Sequence, residues 1–241
     1  MRPVAIFRFS PTEGPGHFAD WLDARGIGWR QVALDEGAPV PADPRAFAGI
    51  GMMGGPMSVN DGLPWNAPLC ALLREAVAAG VSVIGHCLGG QLLAQALGAP
   101  VTRAPVPEVG WIDVDVTDAA ASAAWFGGRA SFPTFQWHYD AFALPAGATR
   151  VLTNRFNREQ AYVVADRHIG FQCHIEMTRP LVETWLETGA DELPAATMAS
   201  MQTAAEIRRN LDARIGALND VASDVYARWA RGLANQDDGT E

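Results

Sequence analysis

VSVIGHCLGGQLLAQALGA, Val81 to Ala99, is the stretch on which the fold turns. VSVIG (Val81 to Gly85) has the short, mainly β-branched make-up of a strand buried on both faces. Leu88 to Leu97 reads as the next helix, ended by Gly98. A buried strand that passes directly into a helix is one step of a parallel β-α alternation.

The same rhythm runs upstream. Extended runs at Val4 to Phe9, Trp29 to Leu34 and Ala46 to Met53 alternate with helical patterns around Phe18 to Arg25 and Pro68 to Ala79. After Pro100 the pieces become shorter and read as antiparallel strands joined to the parallel core: Val109 to Val116, Ala148 to Asn154, Ala161 to Asp166 and His168 to Ile175. From Pro180 the chain turns helical, with Met198, Met201, Ala205, Leu211, Ile215, Leu218, Val225 and Trp229 near helical spacing and Asn219-Asp220 as the expected break. That stripe either packs on its own domain or forms a dimer or partner surface. The acidic tail QDDGTE is expected to fray. The predicted fold is α/β: an open, mostly parallel, flavodoxin-like sheet with helices on both faces, a small antiparallel extension and a C-terminal helical region. The expected division is a domain over residues 1–190 and a helical extension over residues 191–241.

Composition narrows the function. The chain has 241 residues and a formal net charge of −9, and no Lys/Arg stripe offsets it, so nucleic acid is excluded as the expected partner. The N-terminus MRPVAIFRFS reads as a strand rather than a signal peptide, and no apolar run reaches the roughly 20 residues of a membrane helix. Three cysteines, Cys70, Cys87 and Cys173, show neither CxxC spacing nor a disulfide framework, which suits a reducing cytoplasm and predicts no metal site.

Cys87 stands between the strand and the helix, with Gly85 two residues before it and Gly89 two after. A nucleophile on a sharp strand-to-helix turn needs such small neighbours. The helix N-terminus favours thiolate over thiol, and the free amide of Leu88 can stabilise an oxyanion. By itself the motif fits a packed, protonated thiol as well as a nucleophile. Cys70 and Cys173 have apolar surroundings without a glycine turn and are expected in the core. In GFQCHIEMT, His174 and Glu176 lie two residues apart, so an extended chain puts both on one face and lets the carboxylate fix the imidazole. Such pairs also occur on solvated strand edges; coexistence with a glycine-flanked Cys in the same α/β pattern shifts the balance to a triad. His86 points to the opposite side from Cys87 and is expected to be structural. His17 and His168, beside glycines, are expected in surface turns.

These residues resemble the class I glutamine amidotransferases, whose glutaminase domains feed ammonia to GMP synthase and its relatives. Four stations line up in order: MGGPMS (Met53 to Ser58) resembles the family's oxyanion loop, GHCLGGQ (Gly85 to Gln91) its nucleophile elbow, WHYD (Trp137 to Asp140) its substrate-binding segment, and GFQCHIE (Gly170 to Glu176) its HxE signature. EVGW (Glu108 to Trp111) matches the strand after the nucleophile helix. The resemblance implies Cys87, His174 and Glu176 as catalytic residues, the Gly55 and Leu88 amides as the oxyanion hole, and Gln91, His138 and Asp140 as substrate-binding residues, Asp140 receiving the α-ammonium group. Gln91 also fits a helix-surface amide, and Asp140 a turn residue. His86 and Gly90 depart from the family pattern, which predicts a different pocket rim. No SGGxDS loop of an ATP-pyrophosphatase is present.

The expected chemistry is cofactor-free: Cys87 attacks the γ-carbonyl of glutamine, ammonia leaves, and water releases glutamate from a γ-glutamyl thioester. A free-standing γ-glutamyl peptidase is the alternative, and the expected partners are a synthetase or a second copy of the chain. From another class, redox-sensing or chaperone-like proteins of the DJ-1 type also carry a Cys elbow, but need no HxE pair.

Overall fold

Nine strands hydrogen-bond into one sheet, in the order β2-β1-β3-β4-β9-β8-β7-β5-β6, in the computed structural model, which describes residues 2–233. The parallel half consists of β1 (Val4–Arg8), β2 (Trp29–Ala33), β3 (Gly49–Met52), β4 (Ser82–His86) and β9 (His168–Phe171). The antiparallel half adds β8 (Ala161–Val164), β7 (Thr149–Thr153), β5 (Val101–Val116) and β6 (Ser131–Phe142). The predicted mostly parallel α/β sheet with an antiparallel extension is the one observed, although the extension is larger than the sequence indicated.

The difference lies in β5 and β6. Pro105 and Pro107 suggest a turn before Val109, yet β5 runs through them because a register shift between Arg103 and Glu108 takes up the missing donors. β6 is an edge strand and so tolerates Pro133. β9 stops at Phe171 rather than continuing to Ile175, and His174 makes only an isolated bridge to Phe135.

Helices cover both faces. On one lie α2 (Asn66–Ala78) and α3 (Leu88–Ala96), whose Leu69, Leu73, Leu92 and Leu93 pack with Phe7, Ile50 and Val83. On the other lie α1 (Gly16–Asp23), α4 (Ala119–Trp125), α5 (Arg179–Thr188), α6 (Ala204–Arg208) and α7 (Leu211–Ala230). Most of the C-terminal stripe is buried, with Leu218, Val225 and Trp229 packed against α1 and the sheet beside Tyr226 and the Trp229 ring 5.4 Å from Phe18, whereas Met198 and Ala205 are exposed. α7 passes through Asn219-Asp220 without a break. Their propensity cost is small beside the burial of Leu218, Val221 and Ala222 on either side. The interruption falls at Asn210, which takes the left-handed conformation (φ 54°) that Asn tolerates. The tail QDDGTE lies outside the described residues.

The remaining histidines are inside or at element ends. His168 is buried in β9, between β4 and β8, and not in a surface turn; burial and then Arg167 lower its pKa to about 4. His17 is half-buried at the start of α1, its Nε2 3.2 Å from the Ser223 hydroxyl. His86 is fully buried, as a structural residue should be. Its Nδ1–H donates to the Met52 carbonyl at 3.1 Å, leaving Nε2 to accept from Tyr226. Neither His86 nor Gly90 reaches a cavity rim: His86 stacks near Phe171, and Gly90 lies against the Phe171 backbone.

Trp229→Ala removes a ring that joins α7 to α1. We expect a loss of about 3–5 kcal/mol, measured by urea denaturation; a loss below about 1 kcal/mol would mean that α7 is only loosely attached.

Candidate active site

Cys87 is set by close packing of α3 on the strands below it. A methyl group at Gly89 would lie 2.6 Å from the Met52 carbonyl oxygen, and one at Gly85 would collide with the Gly89 backbone. With room for nothing larger, the chain turns from β4 into α3 through Cys87 itself, at φ 49° and ψ −105°. A non-glycine residue there is strained, and the surrounding packing over-determines it. The side chain is 6% exposed at the floor of a cavity of about 410 Å³, its Sγ 4.0 Å from the Trp137 carbonyl oxygen and 3.7 Å from Gln172 Nε2.

Leu88 is the first residue of α3, where an amide has no intrahelical acceptor. Gly55 lies directly beside it, since a Gly55 methyl would sit 2.5 Å from Leu88 Cδ2. His174 is tied to β6 by its backbone N–H, which donates to the Phe135 carbonyl at 2.8 Å. Its Nδ1 is 2.7 Å from Glu176 Oε1, both side chains being buried, and Trp185 meets the ring edge-on at 4.7 Å. Among the described residues Nε2 makes no hydrogen bond, and it shares the cavity with Cys87. Burial opposes the imidazolium, but the charges of Glu176 and Cys87 outweigh it and hold His174 well above its ordinary pKa. Burial likewise opposes the Glu176 carboxylate, and His174 outweighs it, so that Glu176 stays below the usual value.

Gln91, His138 and Asp140 converge on the other side of the cysteine. Gln91 Nε2 donates to the Asp140 carbonyl at 3.1 Å and to Gln172 Oε1 at 3.3 Å, so its amide is engaged within the protein. His138 hydrogen-bonds through Nδ1 to the Asp140 carbonyl at 3.1 Å, while its Nε2 lies 3.1 Å from the Glu108 carboxylate without hydrogen-bond geometry. Glu108 is fully buried and also accepts from Asn154 and, at 2.9 Å, from Gln160. The Asp140 carboxylate faces the cavity, accepts from the Ser58 hydroxyl at 2.7 Å and lies 3.7 Å from Arg103. Cys70 and Cys173 are buried away from the cavity, their thiols pushed up by burial. Among the described residues, no three His, Cys, Asp or Glu side chains gather closely enough to hold a metal ion, and no helix is long and apolar enough to cross a membrane.

Glu13, Arg103, Trp185 and Glu192 also line the cavity, and the sequence reading did not find them. Glu13 lies in a loop, Arg103 on β5, Trp185 on α5 and Glu192 in the short turn after α5, and no local motif marks any of them. Glu13 is half-buried with its carboxylate at the His174 ring: burial chiefly, then Glu176 and Glu192, raise its pKa to about 7 against the pull of His174.

The folded state therefore holds the Glu13 proton more tightly than the unfolded chain, and this group costs stability as pH rises from the ordinary carboxylate value towards 7. Glu13→Gln is expected to raise Tm at pH 8 and to have little effect near pH 4; an unchanged difference between those pH values would contradict the assignment.

A model of the Glutamine amidotransferase class-I family matches residues 25–186. The chain is 32% identical over 194 residues to the putative glutamine amidotransferase-like protein YfeJ of Salmonella typhimurium, covering 76% of this chain and 80% of that one. It is 34% identical over 149 residues to the glutamine-hydrolyzing GMP synthase of Aeropyrum pernix, covering 59% of this chain and 28% of that protein. Among solved structures, a glutamine amido transferase from Methylobacillus flagellatus superposes with a TM-score of 0.96 at 44% identity, covering 100% of this chain and 99% of the other.

Proposed function

This chain belongs to the class I glutamine amidotransferase family, and from that premise we propose that it cleaves the γ-glutamyl amide of glutamine through a thioester on Cys87. The family's chemistry is hydrolysis or transfer of the glutamine amide. What supports the thioester route here is one observation: a strained cysteine at a helix N-terminus shares its cavity with a histidine whose far nitrogen is clamped by a buried carboxylate.

In this reading the amino-acid head of glutamine lies at the Asp140 end. The Asp140 carboxylate receives the α-ammonium group, Arg103 faces the α-carboxylate, and Gln91 and His138 hold the Asp140 backbone in place. Sulfur attacks the γ-carbonyl, and the Gly55 and Leu88 amides bind the developing oxyanion. His174 enters the reaction as a ready acid, because Glu176 and the thiolate favour its protonated form. It protonates the departing nitrogen, and the carbon–nitrogen bond breaks. The now neutral imidazole takes a proton from water, which cleaves the thioester to glutamate. Glu176 keeps the ring oriented throughout. The amine passes to solvent or to a synthetase partner.

Cys87→Ala is expected to abolish glutamate release from glutamine with Tm preserved, and Glu176→Gln to lower kcat by about a thousandfold or more. Glutamate release by Cys87→Ala at the parent rate would refute the thioester route.

A further inference from the structure

The cavity has two chemically different ends because side chains alternate along β6. The Asp140 carboxylate points to one side with His138, towards Ser58. Trp137 and Tyr139 point to the other, where they meet Glu192, Trp185 and Glu13 around His174. At this second end the indole Nε1 of Trp137 donates to Glu192 at 2.9 Å, and the rings of Trp137 and Trp185 meet edge to face with centroids 6.2 Å apart. A methyl group at Gly54 would collide with the Glu13 carboxylate and lie 2.8 Å from His174 Cε1, so Glu13 sits at the reacting histidine itself.

Charge at this end is one-sided. Neither Glu13 nor Glu192 has an ion-pair partner among the described residues, and His174 is committed to Glu176. Arg103, at the mouth, stands beside Asp140 and over the Tyr139 ring at 4.9 Å. Two indole rings with the Glu192 carboxylate and the Glu13 carboxyl, which sheds its proton as pH rises through about 7, form a surface that attracts an alkylammonium group, through the rings and charge together. Glutamine leaves this end empty, since its departing group is only ammonia. An amino acid as leaving group would bring its carboxylate against Glu13 and Glu192.

We propose that the Glu13, Trp137, Trp185 and Glu192 wall is a leaving-group subsite for an amine bearing a second positive charge, so that γ-glutamyl amides of diamines are the preferred substrates. This rests on the thioester reading above and extends it. The amide bond to the diamine breaks, its nitrogen leaves with the proton from His174, and water releases glutamate as before. The distal ammonium stays charged and lies between the carboxylates.

The test compares two amides of nearly equal shape, γ-glutamyl diaminobutane and γ-glutamyl pentylamine, in which a methyl group replaces the distal ammonium, with γ-glutamyl glycine as the anionic arm. Wild-type kcat/KM is expected to favour the diamine amide over the pentylamine amide by about tenfold or more, with γ-glutamyl glycine lowest. The ratio should fall towards unity in Glu13→Gln/Glu192→Gln, and Glu192→Arg should move the preference towards γ-glutamyl glycine. Equal rates for the two amides, or a preference untouched by the double variant, would overturn the subsite. Calorimetric binding of both amides to Cys87→Ala separates the two readings. Tighter binding of the diamine amide without turnover by the wild type would uphold the subsite and remove the thioester mechanism. Glutamine turnover with equal binding, or no binding of either amide, would remove the subsite.

Discussion

The approach of α3 to the strands beneath it is the constraint from which the site follows. Gly85, Gly89 and Gly90 each face backbone where a side chain would have to stand, so the helix begins almost in contact with β3, β4 and β9. The backbone conformation forced on Cys87 is costly for a residue with a Cβ, by about 1–3 kcal/mol. It is held because the core on both faces of the sheet fixes the strand and the helix independently. The same turn sets the Leu88 side chain against Gly55. The proposed nucleophile and oxyanion donors are therefore products of one packing event.

Buried carboxylates organise the rest. Glu176 clamps His174, and Glu108 lies against His138 while drawing in Asn154 and Gln160 from the β7–β8 connection. His174 is thereby fixed in orientation by a buried carboxylate, whereas the His138 ring is held through Nδ1 by the Asp140 carbonyl. Glu13 and Glu192 are different: neither forms an ion pair with Lys or Arg among the described residues, and both line the proposed leaving-group subsite. The cavity thus joins a hydrogen-bonded polar framework on one side to an acidic wall without a basic partner among the described residues on the other.

The parallel half of the sheet and the nucleophile turn were legible because their signals are local. VSVIG followed by GHCLGG encodes strand, turn and helix within a few residues, and HxE encodes its own pairing distance. Less legible was whatever depended on distant partners. β6 carries Pro133 and polar residues on a strand with no simple alternation, and only its pairing with β5 defines it. Composition at Asn219-Asp220 disfavours helix and suggests a break there. Burial of Leu218, Val221 and Ala222 overrides that preference. His168 looked like a turn residue beside glycine, and its burial follows from strands contributed by other parts of the chain. Glu13, Trp185 and Glu192 share no motif and meet only in three dimensions.

The central claim is that a γ-glutamyl group passes through Cys87. The most direct test is to mix the purified protein with glutamine, quench in acid within the first turnovers and locate any added mass by peptide mass spectrometry. A γ-glutamyl adduct on the peptide containing Cys87, absent after longer incubation as the substrate is exhausted, is the predicted result. Sustained glutamate release with no adduct on that peptide, or with the adduct on another residue, would contradict it.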